Sequence, residues 1–163
     1  MPFPFTLPET CKIVTLYGGA TNGSITTMSD YISCKNALKV WIVGYAWGAN
    51  ASTFPLTMYE ATTVAGGSSA IITATWPIWK VIATTATDAL TRVAADAALL
   101  TIDPDGTDST MLFVFEWDPA KFSAGFDCLA VKGATGNAGD FCVILAIVQE
   151  RYQQALAPSA IVD

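Results

Sequence analysis

Two groups of acidic residues hold types and spacings that could do chemistry. Asp103, Asp105 and Asp108 share one glycine-containing turn, DPDGTD. Oxygen ligands this close in sequence can hold a calcium ion. However, Gly106 does not stand where an EF-hand loop places its glycine, and no bidentate Glu follows at the required distance. A solvated hairpin turn is the simpler account, which leaves these three residues as a weak calcium candidate. The second group is Glu116 and Asp118 with Asp127. Paired carboxylates can hydrolyse glycosidic bonds. Glu116 and Asp118 would point to one face of a strand, but Asp118 precedes Pro119 and better suits the start of a turn.

Other chemistries are excluded by residue type. The chain has no histidine, so Ser-His-Asp and Cys-His nucleophiles cannot be assembled within it. The usual zinc and non-haem iron sites lose their main ligand for the same reason. No phosphate-binding or dinucleotide-binding glycine motif and no nucleophile elbow occurs. The expectation is a chain that is not an enzyme and needs no cofactor.

The four cysteines, Cys11, Cys34, Cys128 and Cys142, form no C-x-x-C pair. Several disulfide connectivities are open to them. The simpler reading is four reduced thiols acting as small buried hydrophobes, since Cys128 and Cys142 each lie within an apolar run. The five tryptophans could form a sugar-stacking platform. Trp41, Trp76, Trp79 and Trp117 sit in apolar runs, which favours the core. Trp47, beside Gly48-Ala-Asn-Ala, could stand exposed at a strand end.

Composition narrows the partners. Hydrophobic residues make up 52% of the chain and charged ones 13%, against roughly 25% charged in ordinary domains. Sparse charge suits a core-rich fold or a surface covered in an assembly. The net charge is −6, and the Lys and Arg residues are scattered singly. No nucleic-acid footprint and no polybasic membrane anchor is present. No apolar run reaches the roughly 18 residues of a membrane span, and the proline-rich start MPFPFTLPET lacks the basic region of a signal peptide.

These side chains would be positioned by strands. Apolar alternation or β-branched enrichment marks Cys11–Tyr17, Leu38–Trp47, Phe54–Thr63, Pro77–Thr84, Met111–Trp117, Phe126–Lys132 and Phe141–Val148. Ile25–Ser33 and Ala70–Thr75 read as shorter extended pieces. Gly18–Ser24, Val64–Ser69, Asp103–Asp108 and Gly133–Gly139 read as turns. Leu38–Trp47 is apolar on both faces, with Val40, Ile42 and Gly44 on one and Trp41, Val43 and Tyr45 on the other. It should therefore be central and covered on both sides. Ala86–Leu100 has helix-like spacing, but Leu90–Val93 and Leu99–Ile102 also read as short strands, and the all-β surroundings favour the strands. The expected fold is all-β, an antiparallel β-sandwich of jelly-roll type. Residues 1–10 would be an extended N-terminal arm, 11–152 one domain and 153–163 a surface tail.

The ordered segments PLTMYEATTVAGGSSAI, FEWDPAKFSAGFDCLAV, VILAIVQERYQQ and PSAIVD, spread over Ala37 to Asp163, resemble small structural proteins of tailed bacteriophages. The resemblance implies a virion component, a β-sandwich that decorates or cements the capsid exterior through contacts with the major capsid protein. It also implies a homo-oligomer, with a trimer favoured. A tail or fibre module and a carbohydrate-binding domain are the alternatives. The resemblance assigns no functional residues.

Overall fold

A computed structural model describes residues 7–21, 26–48, 54–82, 88–94, 96–102, 109–134 and 140–151. The described residues begin with a single helical turn, α1 (Leu7–Thr10), where an extended arm was expected. The strands are β1 (Cys11–Thr21), β2 (Ile32–Ser33), β3 (Ala37–Gly48), β4 (Phe54–Ala61), β5 (Ala70–Ile71), β6 (Ile78–Ile82), β7 (Thr91–Arg92), β8 (Leu99–Ile102), β9 (Ser109–Trp117), β10 (Cys128–Gly133) and β11 (Phe141–Glu150). Among the described residues no helix is long and apolar enough to cross a membrane.

The fold is an all-β sandwich of antiparallel sheets. One sheet runs β1-β11-β3-β9-β6-β7, and the other runs β2-β10-β4-β5 with β8 also paired to β4. The ambiguous Ala-rich stretch contributes β7 and β8, so strand pairing overrides the helical propensity of its alanines. Alternation decides the inner faces. Val40, Ile42 and Ala46 of β3 meet Phe113 and Phe115 of β9 and Ile144 and Ala146 of β11 on one side of the core. Leu56 and Met58 of β4 and Leu129 and Val131 of β10 close it from the other.

The core holds a chain of edge-to-face aromatics. Trp76 meets Trp117 with ring centroids 4.6 Å apart at 84°, and Trp117 meets Phe122 at 5.2 Å. Trp76 also meets Phe115 at 5.7 Å, and Phe115 meets Phe113 at 5.8 Å. Such pairs add about 0.5–1.5 kcal/mol beyond the area they bury. The indole N–H groups of Trp76 and Trp117 are buried without a hydrogen-bond partner. The ring contacts and burial of these large side chains offset that desolvation.

Two details show how the sheets are joined. β1 continues through the glycines expected to start a loop, with register shifts between Thr15 and Tyr17 and between Gly18 and Ala20. Gly19 takes φ +98, which a side chain would resist, and lies against the Phe141 ring. The first shift accompanies Tyr17, whose hydroxyl donates to the Thr27 carbonyl, with the Val131 carbonyl of β10 3.3 Å away. On the edge of β10, Ser29 N donates to the Val131 carbonyl and Ser29 Oγ accepts from Val131 N, both at 2.9 Å. A smaller apolar cluster of Tyr31, Ala61, Cys128 and Ala130 covers the outer side of this sheet. Tyr31 is held there by Ser69 Oγ and by Gly66, which packs on its ring.

Candidate functional site

Glu116, Asp118 and Asp127, one of the two acidic groups expected to be able to do chemistry, each have a structural partner. Asp118 Oδ1 accepts from Ala120 N at 3.0 Å and caps the short 3-10 turn Pro119–Lys121. Proline at the first position of that turn supplies a preset φ, as the Asp-Pro step suggested. Glu116 forms an ion pair with Lys39. The Asp127 carboxylate accepts from Cys128 Sγ at 3.2 Å, and its carbonyl accepts from Cys34 N at 2.7 Å. The three carboxylates are thus engaged separately. Asp103, Asp105 and Asp108 lie outside the described residues. Among the described residues no group of three His, Cys, Asp or Glu side chains could hold a metal ion.

One acid that the sequence did not single out is drawn inward. Glu60 of β4 is buried, and its Oε2 accepts from Ser123 N at 3.0 Å. It ties β4 to the segment that follows the Asp118 cap. Lys121 Nζ anchors the same segment from the other direction by donating to the Thr75 carbonyl at 2.8 Å. Both contacts fix a corner of the fold.

The four cysteines are buried and reduced. Burial pushes the Cys142 thiol up to about 12. Burial also raises Cys34, with smaller contributions from Cys128 and Asp127. Thiols held protonated in this way are poor nucleophiles and poor metal ligands. They pack as small hydrophobes, as their apolar neighbours suggested.

The structure departs most from expectation on the outer face of the six-stranded sheet. β3 is central, but only its inner face is fully covered: its burial alternates between buried and half-buried or exposed residues. Trp41, Val43, Tyr45 and Trp47 all point outward. Trp41 and Trp79, expected in the core, are half-buried on this open face, while Trp76 and Trp117 do occupy the core. Trp47 shares the face and is half-buried.

Register extends the face across the sheet in rows. Ile13, Ile147, Trp41 and Glu116 lie side by side on successive strands. The next row is Thr15, Leu145, Val43, Val114 and Trp79. Then come Val143, Tyr45, Leu112 and Val81, followed by Phe141, Trp47 and Thr110. Val81 and Thr110 are buried, while the others are half-buried or exposed, with Ile13 at 50% and Tyr45 at 37%. Among the described residues, ion pairs stand at the margins. Lys39 with Glu116 marks one end, and Arg92 with Asp96, at 2.7 Å, marks the far edge. Such a surface can bury apolar area against a partner or stack on a planar apolar ligand face.

No protein-family model and no curated protein matches this chain. Solved structures do resemble it. One is the SPBc2 prophage-derived protein YomS, at 12% identity and a TM-score of 0.47, covering 85% of this chain and 93% of that one. Another is the N-terminal CBM22-1–GH10 part of the Clostridium thermocellum endo-1,4-β-D-xylanase 10B in complex with xylohexaose. It has 8% identity and a TM-score of 0.33, and covers 91% of this chain and 26% of that one. A third is a putative sugar binding protein from Bacteroides thetaiotaomicron, at 10% identity and a TM-score of 0.28, covering 81% of this chain and 65% of that one.

Proposed function

We propose that this chain is a non-enzymatic structural protein of a tailed-phage virion, placed on the capsid exterior as a decoration or cement subunit in contact with the major capsid protein. The observation that carries the reading is the open face of the six-stranded sheet. It is broad and apolar and is bordered by charges already paired with one another. Monomeric soluble proteins rarely leave a surface of this kind to water. The resemblance of the ordered sequence segments to small phage structural proteins supports the same reading, as does a charged fraction of only 13%. Purified particles test it. The chain should be present at a fixed copy number relative to the major capsid protein and should be located on the head. A location on the tail or fibre would move the protein to another virion role. Presence only in infected-cell extract would rule out the virion reading.

A second reading draws on the aromatics of the same face. Trp41, Tyr45 and Trp47 project from one side of β3, and Trp79 stands two strands away. Aromatic faces in this arrangement can stack on saccharide rings. Glycan-array binding that disappears in Trp47→Ala would establish a carbohydrate-binding function, and a silent array would remove it.

A further inference from the structure

We infer that the open face of the six-stranded sheet is a self-association surface, and that its occupant is the same face of a second copy of this chain. The inference deepens the assembly reading above by naming the surface and the first partner. Charge selects the occupant. Each copy carries a net charge of −6, so most encounters between copies bring like charges together. The open face is the exception, because its central rows carry no ionised group and, among the described residues, ion pairs stand at its margins. Two copies can meet there without an unpaired charge being desolvated.

Shape and size agree with this choice. Rows of side chains standing off a twisted sheet are the surface that another sheet packs on, at about 10 Å and about 30° in β-sandwiches. Self-complementarity across a two-fold axis needs only one such surface. Five strands spaced at about 4.8 Å and four rows spaced at about 6.8 Å span roughly 650 Å². Each partner in a standard interface contributes about 800 Å². The residues are also of interface type, with Tyr45 in the central rows, Trp41, Trp47 and Trp79 around it and ion pairs at the rim. Tyr45 lies in the middle of β3, within the central rows.

The test is the mass of the purified full-length chain in solution, measured by sedimentation or light scattering over a concentration series. The expected result is a dimer at about 100 μM that dissociates on dilution. Tyr45→Glu and Tyr45→Lys should each weaken it by about 100-fold or more, with an unchanged circular dichroism spectrum because Tyr45 is exposed. Mixing the two variants should restore the dimer if the faces oppose one another. Ile13→Glu, at an exposed position of β1, serves as a second disrupting variant should either Tyr45 variant lose its fold. A wild-type monomer at that concentration would overturn the inference, as would an oligomer that survives these variants or a mixture that stays monomeric. A monomeric chain found at fixed copy number on phage heads would overturn this pairing alone and leave the virion reading intact.

Discussion

Gly44 and Phe113 stand directly opposite each other on β3 and β9, and the Phe113 ring lies over the bare Cα of Gly44. A Cβ at position 44 would overlap that ring. The glycine is therefore part of the core, and the aromatic covers the backbone that it leaves open. Gly44→Ala should force Phe113 out of its place and destabilise the protein by about 2–3 kcal/mol, the scale of overpacking a dense core. Denaturant unfolding checks this. An unchanged midpoint would mean that Phe113 has room to move.

Trp117 is fully buried with its indole N–H unpaired, edge-on to Trp76. Trp117→Phe removes an unsatisfied donor as well as packing volume, and the two effects oppose each other. The expected loss is at most about 2 kcal/mol, against about 3–5 kcal/mol for Phe115→Ala, which only creates a cavity. Equal losses in the two variants would show that the indole N–H has a partner after all.

Alkaline pH should destabilise the fold. Burial, followed by the charge of Cys142, raises Tyr17 from 10.0 to about 12, and burial raises Cys142 from 9.0 to about 12. Well below pH 9 both groups are protonated whether the chain is folded or not. Above that, the unfolded chain releases protons that the folded one retains, so the unfolded state binds fewer and stability falls as pH rises towards 12. Urea midpoints taken from about pH 8 to about pH 11 should fall steadily. The slope should be shallower in Tyr17→Phe. A flat profile would count against the burial of these groups.

The Lys39–Glu116 pair sits at the margin of the open face with both side chains partly exposed. Lys39→Ala should cost less than about 1 kcal/mol of stability. A larger loss would mean that the pair is shielded from solvent.

Much of the fold was legible because the alternation is strong. The inward set Val40, Ile42 and Gly44 could be read from spacing alone, and the Asp118-Pro119 step marked a real turn. The extent of cover on β3 could not be read in the same way. Trp41, Val43 and Tyr45 are as apolar as a buried strand requires, and apolarity does not distinguish a second layer within the chain from a surface awaiting a partner. The same ambiguity put Trp41 and Trp79 in the expected core. At Gly18-Gly19 the sequence suggested a loop, because glycine pairs mark turns. Pairing with β11 carries the strand through them as a bulge instead. Strand order depends on contacts far apart in sequence, such as β1 with β11, for which local patterns hold no signal. The inward turn of Glu60 depends on Ser123, which is equally remote.

A virion role is tested most directly by the protein composition of purified phage particles, measured by quantitative mass spectrometry and located by imaging. This chain is expected on the head, in constant ratio to the major capsid protein, with the open sheet face covered. Particles that lack the chain, or carry it in variable trace amounts, would contradict it.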